Sequence, residues 1–186
     1  MALLIIDEPA LNDNEKIEYA SNFKRFIALT IDTLIIFTIT LPLEYFNITE
    51  YKNLKVLLLI SIFTVAYKPF FEYKFGATPG KKLMGLKVIS HEYSKLKLSR
   101  ATFRNIFFVI PTLLSTLITV FIYNQPQFLT VHSFLEYLRI LTSSKSLSFI
   151  NQIVILLNFL DVLSIILDKK NRSIHDFIAG TIVVKA

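Results

Sequence analysis

Residues 106–123 read IFFVIPTLLSTLITVFIY, with no charged side chain anywhere in the run. As a helix, this segment spans about 27 Å, close to the hydrocarbon thickness of a bilayer. A helix of a soluble bundle keeps a polar stripe for water, and this run has none. The chain therefore has at least one segment built for lipid. Residues 26–46, 54–71 and 148–167 are further apolar runs of spanning length. The spacing predicts an all-α membrane protein, a bundle of four transmembrane helices. Pro111 predicts a bend or local break inside the quoted run.

Composition agrees. The 186 residues suit one domain, and 53% are apolar without counting glycine. Mean hydropathy is +0.55. The chain has no Cys, which excludes thiol catalysis, disulfides and cysteine-ligated metal. Residues 1–6 are apolar but lack a basic lead and are too short for a signal peptide, so the first span is expected to direct insertion. Residues 1–22 then form an N-terminal cytoplasmic segment, and residues 23–184 the transmembrane domain.

The net charge of +6 could serve nucleic acid. Its placement beside apolar runs points instead to anionic lipid head groups, with no nucleic acid as partner. Under the four-span reading, all but four of the 20 Lys and Arg fall on one side. The exceptions are Lys52, Lys55, Arg139 and Lys145. The basic side is expected to be cytoplasmic, with both termini there, in a multi-pass protein of the cell membrane.

Two connections carry structure of their own. On the outer side, Phe128, Val131, Phe134, Leu135, Leu138 and Leu141 recur at helical spacing. They predict an amphipathic helix in the outer interface, the alternative being a loop packed on the bundle. On the basic side, residues 85–90 and 95–98 alternate apolar and polar, as in a short hairpin. Residues 181–184 have strand composition and are expected to complete a small cytoplasmic β element.

The charges inside the spans are the candidate site. Arg25 and Asp32 are two helical turns apart and share a face, with Asp32 about 10 Å deeper. Asp161 and Asp168 have the same spacing in the fourth span, which runs the other way. Asp32 and Asp161 should thus share a layer, with Asn158 one turn further out. Intramembrane carboxyl groups cost about 2.5–3.5 kcal/mol on insertion scales, so each should face the bundle interior with a partner. Candidate partners are Arg25, Lys68, Arg104 and Arg172, and Lys68 with Glu72 forms an i,i+4 pair. Three readings stand: a carboxylate site that exchanges a proton or small cation, a permanent ion-pair cluster that fixes helix register, or a site for lipid head groups.

Other patterns carry less. GATPGK at residues 76–81 has one residue too few between its glycines for a phosphate loop, and Lys82 replaces the magnesium-binding hydroxyl. Thr78-Pro79-Gly80 reads as a tight turn. Ser173, His175 and Asp176 are too close in sequence to converge as a triad, so His175 reads as a cap or head-group contact. His91 and His132 fall on opposite sides, which leaves no shared metal site. No enzyme, cofactor or metal is expected. Four helices make a thin wall for a pathway, so a transporting form is expected to be a homo-oligomer or to have a membrane partner.

Three segments together resemble the RDD family of membrane proteins, named for one arginine and two aspartates. They are RFIALTID at 25–32, GATPGKKLMGLKVI at 76–89 with LSRATFR at 98–104, and RSIHDFIAGTIVV at 172–184. The resemblance places the family arginine on Arg25, the first aspartate on Asp32 and the second on Asp176. It implies a transport role, sodium/proton exchange being linked to some members. This chain departs from the pattern by a long insert, about residues 124–146, between spans three and four.

Overall fold

The computed structural model describes residues 18–92, 94–167 and 174–186. In chain order the elements are α1 (Asn22–Phe46), α2 (Leu54–Phe75), α3 (Pro79–Leu83), β1 (Leu86–Ser90), α4 (Leu98–Arg104), α5 (Ile106–Tyr123), α6 (Phe134–Ser143), α7 (Lys145–Leu167), α8 (Ile174–Ala179) and β2 (Thr181–Lys185). A π-helical turn, Asn47–Tyr51, extends α1, and a 3₁₀ turn, Pro126–Thr130, follows α5.

Three segments are each long and apolar enough to cross a membrane: Asn22–Tyr51, Leu54–Phe75 and Ile106–Tyr123. Among the described residues, α6 and the Lys145–Leu160 part of α7 also qualify when taken together, across a bend of 106°. Helix α5 coincides with the uncharged run 106–123, and Pro111 lies inside it without ending it. The break falls six residues earlier, at Asn105, which separates α4 from α5. The Asn105 side chain donates to the Ala101 carbonyl at 2.8 Å, which also accepts the Asn105 backbone amide at 3.3 Å.

At the end of the bundle away from the sheet, the insert packs onto the helices. Phe128 and Val131 are each 1% exposed and join Ile48, Ile118, Ile122, Tyr137, Leu141 and Leu147 in one core. Tyr123 stacks on Phe128 with centroids 4.1 Å apart. Asn47 fastens the neighbouring turn, donating to Tyr123 Oη at 2.9 Å and accepting the Asn53 amide at 3.0 Å. The expected continuous helix over 128–141 is corrected: helix begins only at Phe134, capped by Ser133, whose hydroxyl accepts the Glu136 amide at 3.3 Å. Its apolar residues divide between two faces. Phe134, Leu135 and Leu138 are exposed, while Tyr137 and Leu141 face the core.

At the basic end, β1 pairs antiparallel with β2, from Leu86 opposite Lys185 to Ser90 opposite Thr181. The expected pairing of β1 with the terminal run holds. The hairpin with residues 95–98 does not form: Lys97 is the N-cap of α4, and Leu96 turns inward against Val88 and Ala101. The free edge of β2 instead takes the start of the described chain. Tyr19 bridges Val184, the Ala20 amide donates to Val183 O at 3.0 Å, and the Lys185 amide donates to Glu18 O at 3.0 Å. Pairing on both edges of β2 satisfies backbone groups that would otherwise sit open on an edge strand.

Candidate functional site

Helix α1 buries Arg25, Ala28, Asp32, Ile36 and Thr40, a stripe at steps of three and four residues. Arg25 and Asp32 therefore share a face, as their spacing predicts. They do not pair with each other. Asp32 is 2% exposed and accepts from Thr78 Oγ1 at 2.5 Å, the Gly80 amide at 2.8 Å and Tyr67 Oη at 3.3 Å. Among the described residues no ion pair reaches Asp32, which corrects the expectation that Arg25, Lys68 or Arg104 would neutralise it.

The donors to Asp32 come from the start of α3. Thr78 is its N-cap, its hydroxyl accepting from the Lys81 amide at 3.4 Å, and Pro79 occupies the first turn. The segment read as a tight turn is thus a helix start seated on α1. Gly80 permits the seat: a Cβ there would lie 2.2 Å from the Ala28 carbonyl oxygen and 2.9 Å from Asp32 Cγ.

Below Asp32 lies a layer of ion pairs. Glu72 is fully buried and accepts from Lys81 Nζ, from Asn105 Nδ2 at 2.8 Å, and lies 3.3 Å from Arg104 Nε. Asp176, 1% exposed, pairs with Arg25 Nη2 and with Arg104 Nη1 at 2.7 Å. Arg104 also donates to Thr181 Oγ1 at 3.0 Å, which ties the layer to β2. One guanidinium thus joins α2, α4, α8 and the sheet, a role suited to its fixed fork of donors. Burial pushes the Lys81 ammonium below the ordinary lysine value, while Glu72 beside it pulls back upward. The expected Lys68–Glu72 pair is corrected. Glu72 takes Lys81 and Arg104, and Lys68 Nζ lies 4.1 Å from the centroid of the Phe108 ring.

A cavity of about 40 Å³ separates the Asp32 seat from the ion layer, walled by Arg25, Asp32, Lys68, Lys81, Arg104 and His175 among others. A site that size can hold ordered water, given about 10–15 Å³ per probe sphere. Organic ligands occupy pockets of roughly 300–1,000 Å³, so none fits here.

Of the residues singled out from sequence, Arg25, Asp32, Lys68, Glu72, Arg104 and Asp176 meet at this place. Asn158 stands apart, its amide donating to Val154 O at 2.9 Å within α7. Asp161 belongs to α7, but its side chain lies outside the described residues, as do Asp168 and Arg172. Sequence reasoning missed Tyr67, Thr78, Gly80, Lys81 and Asn105 as members. The Thr-Pro start of a helix was a readable signal for Thr78 and Gly80. Nothing local marks Tyr67 or Asn105.

Fold and site together define a multi-pass helical membrane protein with a buried ionisable layer at its basic end. A family model, RDD family, matches residues 19–180, and the chain belongs to that family. No curated protein matches the chain, and neither does any solved structure.

Proposed function

We propose that this protein supports transport coupled to a proton or small cation, with the Asp32 carboxylate as the group that takes up and releases the cargo. The observation that carries the reading is the cavity of about 40 Å³ walled by Asp32 and basic side chains inside the membrane domain. Ionisable groups at membrane depth that face a wet cavity are the usual mark of an ion pathway. The cavity's size suits water and a proton better than any organic cargo. In this proposal the chain crosses four times with its basic face and both termini in the cytoplasm, in the cell membrane. Asp161 of α7 contributes from the same layer, and a homo-oligomer supplies the wall that four helices alone make thin. No catalytic step, cofactor or nucleic acid is part of it.

A second reading has its own observation. The three donors that hold Asp32 make it a fixed receptor for α3, and the ion layer then serves as a permanent frame for a scaffold or accessory protein.

Proton and sodium flux into proteoliposomes under imposed pH and Na⁺ gradients tests both. The transport reading expects flux from the wild type above protein-free liposomes and its loss in Asp32→Asn at unchanged protein content. Well-folded wild type without flux in any gradient rejects transport and leaves the scaffold.

A further inference from the structure

Three short helices close the basic end of the bundle, and each is two-faced. Helix α3 packs on α1, α4 on α2 and α8, and α8 on α7. Their inward residues are Gly80, Arg104 and Asp176, which belong to the Asp32 seat and the ion layer. Their outward residues are large and apolar: Leu83 is 72% exposed, Phe103 57% and Phe177 80%. Water is a poor solvent for such side chains, and three of them around one rim form more than scattered surface residues.

We propose that α3, α4 and α8 form a collar set into the head-group and upper acyl region of the adjoining leaflet, and that its occupant is anionic phospholipid. Two observations support this. Large apolar residues are exposed at the neighbouring ends of the spans as well, Phe23 at the start of α1 (72% exposed) and Phe75 at the end of α2 (52%). Exposed lysines lie along the rim: Lys74 closes α2, Lys82 sits next to Leu83, and Lys97 precedes α4. Lys74 Nζ lies 5.5 Å from the Phe70 and Phe75 ring centroids, its stem lying along the apolar surface as a side chain does when it reaches for head groups. Exposed apolar side chains interleaved with ammonium groups are the pattern of interfacial helices on anionic bilayers. The ion layer inside the collar then lies beneath the head groups. The inference does not depend on transport.

The chain contains no Trp, so a single introduced Trp reports its own surroundings. Leu83→Trp, Phe103→Trp and Phe177→Trp would be placed one at a time in bilayers of phosphatidylcholine and phosphatidylglycerol. His91→Trp, in the exposed turn after β1, is the aqueous reference. The collar expects blue-shifted emission at all three sites, strong quenching by bromines near the head-group end of the acyl chain, and little quenching by iodide. It also expects brominated phosphatidylglycerol to quench more than brominated phosphatidylcholine at equal mole fraction. Iodide quenching at any of the three sites without bromolipid quenching overturns the collar and leaves that face to a protein partner. Equal quenching by the two lipids overturns the anionic occupant.

Discussion

Gly80 and Asp32 show how much a single position can decide. The amide of Gly80 reaches Asp32 only because no side chain holds α3 away from the Ala28 carbonyl. Gly80→Ala pushes a methyl group into helix backbone, which cannot yield as a side-chain tip can. The expected cost is about 3 kcal/mol, at the upper end of overpacking, read as a lower thermal midpoint in lipid nanodiscs. Arg104 is the other critical position. Arg104→Met leaves Glu72 and Asp176 with fewer buried partners, and breaking such a pair typically costs about 3–5 kcal/mol. Loss of stable expression, or a midpoint lowered by more than in Gly80→Ala, is the expected result. The spacing of Arg25 and Asp32 put both on one face without any structure, because helical periodicity is local. Their partners were not legible. Asp32 is met by Thr78 and Gly80, and Glu72 by Lys81 rather than Lys68, because chain reversal after α2 brings α3 back over α1. Such a reversal depends on tertiary packing that no spacing rule encodes.

Among the elements, β2 is held from both sides, by β1 and by the segment that includes Tyr19 and Ala20. Amides of residues 181–184 are therefore expected to exchange slowly, and rapid exchange along all four would contradict the paired sheet. The outer edge of this pairing carries a pH signature. The hydrogen bond and charge of Lys185 hold the exposed Glu18 carboxyl below its ordinary value. A carboxyl with a lowered folded value contributes fully above its unfolded value, near 4.5, and the contribution fades as pH falls through the lower folded value. Protection of the Ala20 amide should therefore weaken on acidification through that window, and less so in Lys185→Met. The strand pairing of residues 86–90 with 181–185 was readable from alternation and β-branched content. The use of residues 95–98 as a helix entry was not, because Leu96 is drawn inward by Val88 and Ala101 rather than by its own periodicity.

Across the whole molecule the two ends differ in kind. One end is sealed by apolar packing around Phe128 and Ile122, and the basic end by buried charge around Arg104. Hydrophobic length and charge asymmetry made this polarity visible in the sequence, since both are sums over many residues. The span count is less plain, because among the described residues α6 and the first part of α7 qualify together and meet at 106°. The central claim concerns the carboxyl between the two ends. Asp32→Asn keeps one acceptor oxygen for the Gly80 amide and turns an amide N–H toward the Thr78 hydroxyl, which can accept it, so the seat of α3 should survive while the ionisable group is lost. The decisive measurement takes thermal midpoint and proton flux from one Asp32→Asn preparation in the same lipid. The proposal predicts a midpoint near that of wild type with flux reduced to the protein-free level. Wild-type flux from a stable Asp32→Asn protein would contradict it.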